Sequence, residues 1–162
     1  MDTSSVIIGL LLMLVFVGPI LYMILNQSNK NKNRLKNLKN LGSQNNMNLD
    51  QMELTNSLLL GLDSKSKKLI IVEPKNNMQY DIIDLCEINQ SLVSKKALPQ
   101  VNGQKENTAI THISLDLFQK HPKETRTEII FYDEYDDTSY NAETQLFLAN
   151  KWDKLIKSNF SA

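Results

Sequence analysis

The longest apolar run of the chain lies at its N-terminal end. No charged residue occurs from Val6 to Leu25, and fourteen of these twenty positions are Val, Ile, Leu or Phe. Twenty helical residues span about 30 Å, the thickness of the hydrocarbon core of a bilayer. We therefore predict a short external N-terminus at residues 1–5 and a transmembrane helix at residues 6–25, with the lipid bilayer as its partner. Gly18 and Pro19 are tolerated in such a helix, where the proline kinks the axis.

Two other interpretations of this run are a cleaved signal peptide and a buried core helix. A signal peptide needs a basic start, an apolar core of about 7–15 residues and a small-residue cleavage site. Residues 1–5 carry no basic side chain, and the apolar run is longer than that core. An all-round apolar run of twenty residues at the N-terminal end is more typical of a membrane span than of a core helix. Both features favour the membrane helix.

Residues 26–49 form a basic stem without any acidic residue, in which Asn is abundant. Its cations are Lys30, Lys32, Arg34, Lys36 and Lys39. By the positive-inside rule, they predict a single-pass membrane protein with its N-terminus outside and its C-terminal domain in the cytoplasm. The stem either acts only as a topology signal and tether or also touches anionic headgroups, at about 1 kcal/mol per cation at most. Three leucines, Leu35, Leu38 and Leu41, indicate a short amphipathic helix that lies on the membrane or packs on the domain.

From residue 50 onward the apolar positions follow a mostly β pattern. The run from His112 to Leu117 alternates most strictly, and its polar side chains share one face. Leu69–Val72 is apolar at every position, which is typical of a central strand buried on both faces. Six strands are predicted in all, at Ser57–Leu62, Leu69–Val72, Tyr80–Leu85, Ile88–Val93, His112–Leu117 and Thr127–Tyr132.

Residues 142–159 have the periodicity of an amphipathic helix. Leu148, Ala149, Leu155 and Ile156 fall within about 60° of the direction of Trp152 on a helical wheel. Strands followed by one helix predict an α+β fold at residues 50–162, in which a small antiparallel β-barrel or meander is closed by the C-terminal helix.

Several short segments carry a resemblance to known proteins. They are Leu60–Asp63, Lys67–Val72, Ile83–Ile88, Ile113–Leu117, Ile130–Asp133 and Ala149–Trp152. In this order they resemble a group of single-pass membrane proteins of Bacteroidetes-type bacteria that have no assigned activity. More loosely, the strands with their terminal helix look like bacterial pleckstrin-homology-like domains. The resemblance implies a pleckstrin-like architecture and a place in the bacterial inner membrane, and it carries no catalytic residues.

The net charge of zero is a cancellation between two parts of the chain. The stem contributes +5, residues 50–162 contain 13 basic and 17 acidic residues and contribute −4, and Asp2 contributes the remaining −1. A basic nucleic-acid-binding protein is therefore not indicated, and the single Cys86 excludes a disulfide-stapled domain. An acidic domain is repelled by an anionic membrane surface, which favours a protein partner over lipid.

No motif in the sequence indicates an enzyme. The chain contains no G-x-S-x-G, Walker or G-x-G-x-x-G motif, and its two histidines lack the spacing of zinc ligands, so we predict no cofactor and no small-molecule substrate. The acidic loop at residues 133–137 is a weak candidate for cation binding through Asp133, Asp136 and Asp137. It lacks the glycine and the ligand spacing of a calcium loop, and a solvated acidic loop is the alternative.

Four aromatic residues near that loop form a candidate partner surface: Tyr132, Tyr135, Tyr140 and Phe147. The alternative is that Phe147 packs on a neighbouring loop. The leading hypothesis is a non-enzymatic, membrane-anchored cytoplasmic interaction module that localises a protein partner at the inner membrane. One alternative is an accessory subunit that docks in a larger membrane complex through its transmembrane helix. The other is an enzyme with a dispersed site built from residues such as Asp133, Asp136 and His112.

Overall fold

The computed structural model describes residues 3–55, 57–74, 78–98, 109–120, 126–136 and 141–160. The chain divides into two compact units, residues 1–37 and residues 38–162. In chain order the elements are α1 (Thr3–Gln44), β1 (Gln51–Leu54), β2 (Leu59–Asp63), β3 (Lys68–Glu73), β4 (Gln79–Asp84), a 3-10 turn (Leu85–Glu87), β5 (Ile88–Ala97), β6 (Ile110–Gln119), β7 (Arg126–Asp133) and α2 (Ala142–Ser158).

Helix α1 is 42 residues long and contains the whole apolar run, including Pro19. Within the described residues it is the one helix that is long and apolar enough to span a membrane, and a signal sequence near an N-terminus has the same properties. The helix does not end where the apolar run ends at Leu25. It continues through the basic stem to Gln44, because Lys, Arg, Leu and Gln in the stem are all good helix formers.

Strands β1 to β4 form sheet A, an antiparallel meander in which each strand pairs with the next. Strand β3 is buried along its apolar length, as the run Leu69–Val72 predicts. Its alternate residues enter two different cores: Leu69 and Ile71 face the main core, and Ile70 and Val72 face a second one. Sheet A is therefore covered on both faces.

The second core of sheet A is supplied by the end of helix α1 and the segment that follows it. Leu38, Met47 and Leu49 are buried there against strands β2 and β3, and Leu41 packs at its margin. Leu38 and Leu41 thus pack on the domain, which was one of the two alternatives left open by the spacing of the leucines. The compact unit begins at Leu38, earlier than the predicted residue 50, because these apolar side chains belong to its core.

Two glycines allow this close packing. A Cβ atom placed on Gly61 of strand β2 would lie 2.7 Å from Leu49 Cδ1 and 2.8 Å from Ile70 Cγ2. A Cβ atom on Gly42, in the last turn of α1, would lie 2.8 Å from Leu49 Cγ. Leu49 therefore fills the space left by two missing side chains, one on the helix and one on the sheet.

Strands β5 to β7 form sheet B, a second antiparallel meander, and helix α2 packs on one of its faces. Ile113, Leu115 and Leu117 of the central strand face the main core, as the alternation predicts. The buried side of α2 completes this core with Ala149, Trp152 and Ile156. Because sheet A contributes Leu60, Leu62, Leu69 and Ile71 to the same core, the main core joins both sheets and the C-terminal helix.

The α+β class with an N-terminal apolar helix, antiparallel strands and a C-terminal helix is confirmed. The predicted barrel does not close in the described residues, where the seven strands form two separate sheets. Strand β1 was missed, because Gln51–Leu54 has two exposed and two half-buried positions and so carries no strong apolar pattern. Strand β5 runs to Ala97, beyond its predicted end at Val93, since a polar edge strand resembles a loop in sequence.

Candidate functional site

The outer side of helix α2 exposes a large aromatic side chain, that of Phe147. The helix begins at Ala142, where the side chain of Asn141 accepts a hydrogen bond from the Thr144 amide at 3.2 Å. Since Trp152 and its neighbours face the core, the opposite side of the helix faces solvent. Phe147 lies on that side and is 69% exposed. Phe147 therefore does not belong to the core, and its ring is available to a partner.

A shallow trough of about 410 Å³ runs along this side of the helix. Its lining residues recur at helical spacing, so they form one stripe: Phe147, Asn150, Lys151, Lys154 and Leu155. We call this stripe the α2 trough. The Nζ atom of Lys151 donates to Glu53 Oε2 of strand β1 at 2.6 Å, which fixes the position of this lysine beside the ring of Phe147. The trough combines an apolar floor with cationic sides.

The other predicted surface aromatics do not share one environment. Tyr132 in strand β7 is half-buried and packs against the main core. Tyr135 follows strand β7 and is 90% exposed. Its amide donates to Asp133 Oδ1 at 3.0 Å, so the carboxylate closes the turn that displays the ring. Tyr140 lies outside the described residues. Of the described residues in the candidate partner surface, Tyr135 and Phe147 are the ones presented to solvent.

The acidic loop is organised by turn hydrogen bonds. The carbonyl of Asp133 accepts the Asp136 amide at 3.0 Å, and Asp137 lies outside the described residues. Asp133 Oδ2 is 3.7 Å from His112 Nδ1. Of the three residues proposed for a dispersed enzyme site, the structure thus brings His112 and Asp133 together. Among the described residues no group of three or more His, Cys, Asp or Glu side chains is arranged to hold a metal ion.

A hydrogen-bonded polar network covers the outer face of sheet B. Its centre is Asp116, whose side chain is 3% exposed. Arg126 Nη2 donates to Asp116 Oδ1 at 2.9 Å, Ser94 Oγ donates to Oδ2 at 2.8 Å, and Ser114 Oγ donates to Oδ1 at 3.2 Å. These donors come from all three strands of the sheet. Hydrogen bonds between the three strands therefore stabilise this face of the sheet, where no apolar layer of the described residues packs on Asp116.

The second part of the network is centred on Glu128 of strand β7. Its Oε1 atom lies 3.1 Å from His112 Nε2 and accepts a hydrogen bond from Arg126 Nη2 at 3.2 Å. The hydrogen bond with His112 lowers the pKa of Glu128 below its ordinary value, and contacts with Ser114 and Arg126 act in the same direction against a smaller effect of burial. The carboxylate thus stays ionised at neutral pH.

The polar network holds the strands of sheet B together. The hydroxyl of Ser114 is directed to a carboxylate, and Ser114 is fully buried. The clefts described for this domain, the α2 trough and a smaller one beside strand β4, are lined by other residues. Sequence alternation placed His112, Ser114 and Asp116 on one face, but the pairing with Arg126 and Glu128 depends on strand register, which a single sequence does not reveal.

The basic residues of the stem all lie in helix α1. Lys30, Lys32, Lys36 and Lys39 are exposed, and Arg34 is half-buried.

Comparison of the chain with known protein families, with characterised proteins and with solved structures gave no match.

Proposed function

We propose that this chain is a membrane-anchored interaction module without enzymatic activity, which holds a protein partner at the bacterial inner membrane. The apolar part of helix α1 is the anchor. The lysines and the arginine that follow it keep the C-terminal domain in the cytoplasm and leave the N-terminus outside. Anchoring raises the local concentration of the domain at the membrane, and this localisation is the mechanism.

The observation that carries the proposal is the exposure of Phe147. A large aromatic side chain in water costs free energy, and burial at an interface recovers about 25 cal/mol per Å² of apolar area. Leu155 lies two turns along the same stripe and continues the apolar floor of the trough. Aromatic side chains flanked by polar groups are typical of the central residues of protein interfaces.

The charge of the α2 trough defines the partner that it fits. Lys154 stands on the trough with no ion-pair partner in the described part of the chain, and Lys151 is bound to Glu53. A partner segment with an apolar side chain for the trough and carboxylates for its lysines is complementary. We propose such an acidic, amphipathic segment as the occupant. We also propose a pleckstrin-homology-like architecture for the domain that carries the trough.

The test is co-purification of the full chain from detergent-solubilised membranes, with wild type, Phe147→Ala and Leu92→Ala compared. Leu92 is a matched control because it is 48% exposed and lies on sheet B, away from α2. We expect a stoichiometric partner with wild type and Leu92→Ala and its loss with Phe147→Ala, while all three unfold at the same temperature. Equal recovery by all three variants would refute the α2 trough as the docking surface.

A topology measurement tests the anchor separately. A reporter that is active only outside the cytoplasmic membrane is fused after residue 162 of the full chain. We expect no reporter activity, and we expect the full-length protein to remain in the membrane fraction after alkaline extraction. A shortened protein released from membranes would identify the apolar run as a cleaved signal sequence, and an active reporter would reverse the orientation.

A further inference from the structure

Strand β4 is an edge of sheet A with an unpaired side. In the described residues β4 pairs with β3 and with no other strand. Four consecutive residues, Gln79–Ile82, are exposed, which is unusual beside a fully buried strand such as β3. An exposed edge presents free backbone donors and acceptors that another chain can pair with.

The strand register shows which backbone groups are free. The amide of Leu85 donates to the carbonyl of Lys67 at 2.8 Å, and these two residues continue the β3–β4 register. In an antiparallel pair, hydrogen-bonded positions alternate along the strand, so Asp81 and Ile83 also point their backbone groups toward β3. The N–H and C=O groups of Tyr80 and Ile82 therefore point outward.

The two sides of this edge differ in chemistry. Tyr80 and Ile82, which are 43% and 37% exposed, lie opposite Val72 and Ile70 and so share the face of the second core. On the other face a cleft of about 210 Å³ is lined by a mainly polar set that includes two carboxylates: Ile71, Glu73, Gln79, Tyr80 and Asp81. One face of the edge is therefore apolar, and the other is acidic.

We propose that strand β4 binds an extended peptide segment by strand addition, and that this segment alternates apolar and basic residues. Strand addition uses main-chain hydrogen bonds for affinity and alternate side chains for specificity. With pairing to the outward groups of Tyr80 and Ile82, every second side chain of the peptide lies beside these two residues. The intervening side chains lie beside Gln79 and Asp81, where Lys or Arg is complementary to the carboxylate of Asp81, and Glu73 adds negative charge one strand further in.

A second copy of this chain fits the edge poorly. Antiparallel pairing of two β4 strands extends one sheet with the same face upward in both copies. The carboxylates of Glu73 and Asp81 from both copies would then lie on one face, and like charges across a strand pair are destabilising. The acidic face therefore selects a basic peptide over self-association. This inference goes beyond the α2 trough and does not depend on it.

The probe is a fluorescent peptide of alternating Val and Lys, titrated onto the full chain in uncharged detergent micelles, with empty micelles as the blank. Three control peptides separate the contributions: alternating Val and Glu, a block arrangement of the same Val and Lys residues, and the probe N-methylated at every second amide. We expect saturable binding of the probe alone, with each control weaker by about tenfold or more, equivalent to about 1.4 kcal/mol.

Ile82→Pro tests the backbone on the protein side. Because the amide of Ile82 points outward, proline at this edge position removes no bond within the sheet. We expect Ile82→Pro to weaken binding at least about tenfold and the matched Ile82→Ala, which keeps the amide, about threefold. Asp81→Asn is expected to weaken binding about threefold and to reduce its dependence on salt. Leu92→Ala, on sheet B, is expected to bind like wild type.

Several outcomes would overturn this inference. They are absence of saturable binding, equal binding of the Val–Glu or N-methylated peptides, and unchanged binding by a folded Ile82→Pro protein. If Ile82→Pro does not fold, the N-methylated peptide tests the same hydrogen bonds on the wild-type protein. Loss of probe binding in Phe147→Ala would assign the peptide to the α2 trough instead of β4.

Discussion

Sheets A and B share one core but treat their other faces in opposite ways. The second face of sheet A is covered by apolar side chains from the end of helix α1 and from Leu49. The second face of sheet B carries the polar network around Asp116, with donors from all three strands. An apolar face needs such a cover, whereas the buried Asp116 and Ser114 of sheet B are satisfied by hydrogen bonds within the sheet. Sheet A is thus the sheet on which Leu38, Met47 and Leu49 pack, and its exposed part is the edge strand β4.

The largest expected loss of stability comes from the core that both sheets share. Trp152 is almost fully buried in the main core, so Trp152→Ala is expected to lower the free energy of unfolding by about 3–5 kcal/mol. Phe147→Ala, on the outer side of the same helix, should cost less than about 0.5 kcal/mol. Urea denaturation of the two variants makes the comparison. Equal losses would mean that the orientation of α2 is wrong.

The next largest effect concerns the apolar cover of sheet A. Gly61→Ala places a methyl group against Leu49 and Ile70 and is expected to cost about 1–3 kcal/mol. In a double-mutant cycle with Leu49→Ala, the double variant should lose less stability than the sum of the two single losses. Removal of the leucine side chain makes room for the methyl group.

Gly18→Ala is the control for this cycle, since a Cβ atom on Gly18 meets nothing within 4 Å. It should leave the unfolding of the domain unchanged. Full additivity of Gly61→Ala and Leu49→Ala would contradict the close packing of the stem on sheet A.

A smaller loss is expected on the polar face of sheet B. Asp116→Ala leaves Arg126 and two serine hydroxyls without their shared acceptor, at a cost of about 1–3 kcal/mol. Glu128→Gln, at a partly exposed position of the same network, should cost less than about 1 kcal/mol. Denaturation curves of both variants are the measurement, and a larger loss for Glu128→Gln would place the centre of the network elsewhere.

The smallest effect is the dependence of stability on pH near neutrality. Burial opposes ionisation of Asp63, but hydrogen bonds from Ser66 and Asn48 outweigh it and lower its pKa, and the pKa of Glu128 is lowered chiefly by His112. A carboxyl group with a lowered folded pKa stabilises the fold above its unfolded pKa of about 4, and that stability is lost as the pH falls through the folded pKa.

We therefore expect each of these two carboxyl groups to contribute as much stability at pH 5 as at pH 7. Each contribution should fall progressively below about pH 4. Denaturation curves of wild type, Asp63→Asn and Glu128→Gln over this range are the measurement. Each variant should lose less stability than wild type on acidification. Identical pH profiles for all three proteins would contradict these assignments.

The sequence predicted elements better than their arrangement. The strict alternation in β6 and the apolar run in β3 identified faces correctly, because burial on one or both faces imposes those patterns directly. The continuity of α1 into the stem was missed, since the asparagines of the stem are weak helix formers. The spacing of the leucines did not show which surface they contact. The edge position of β4 and the pairing of Asp116 with Arg126 depend on contacts between distant residues, and no local pattern encodes them.

Photo-crosslinking in native membranes tests the proposed interaction module most directly. A photoreactive amino acid replaces Phe147 in the α2 trough and, as a matched exposed position on sheet B, Leu92. We predict one discrete protein adduct from position 147 that disappears when Lys154→Glu is added, and no such adduct from position 92. Absence of an adduct at 147, or the same adduct from both positions, would contradict a partner bound on the outer side of α2.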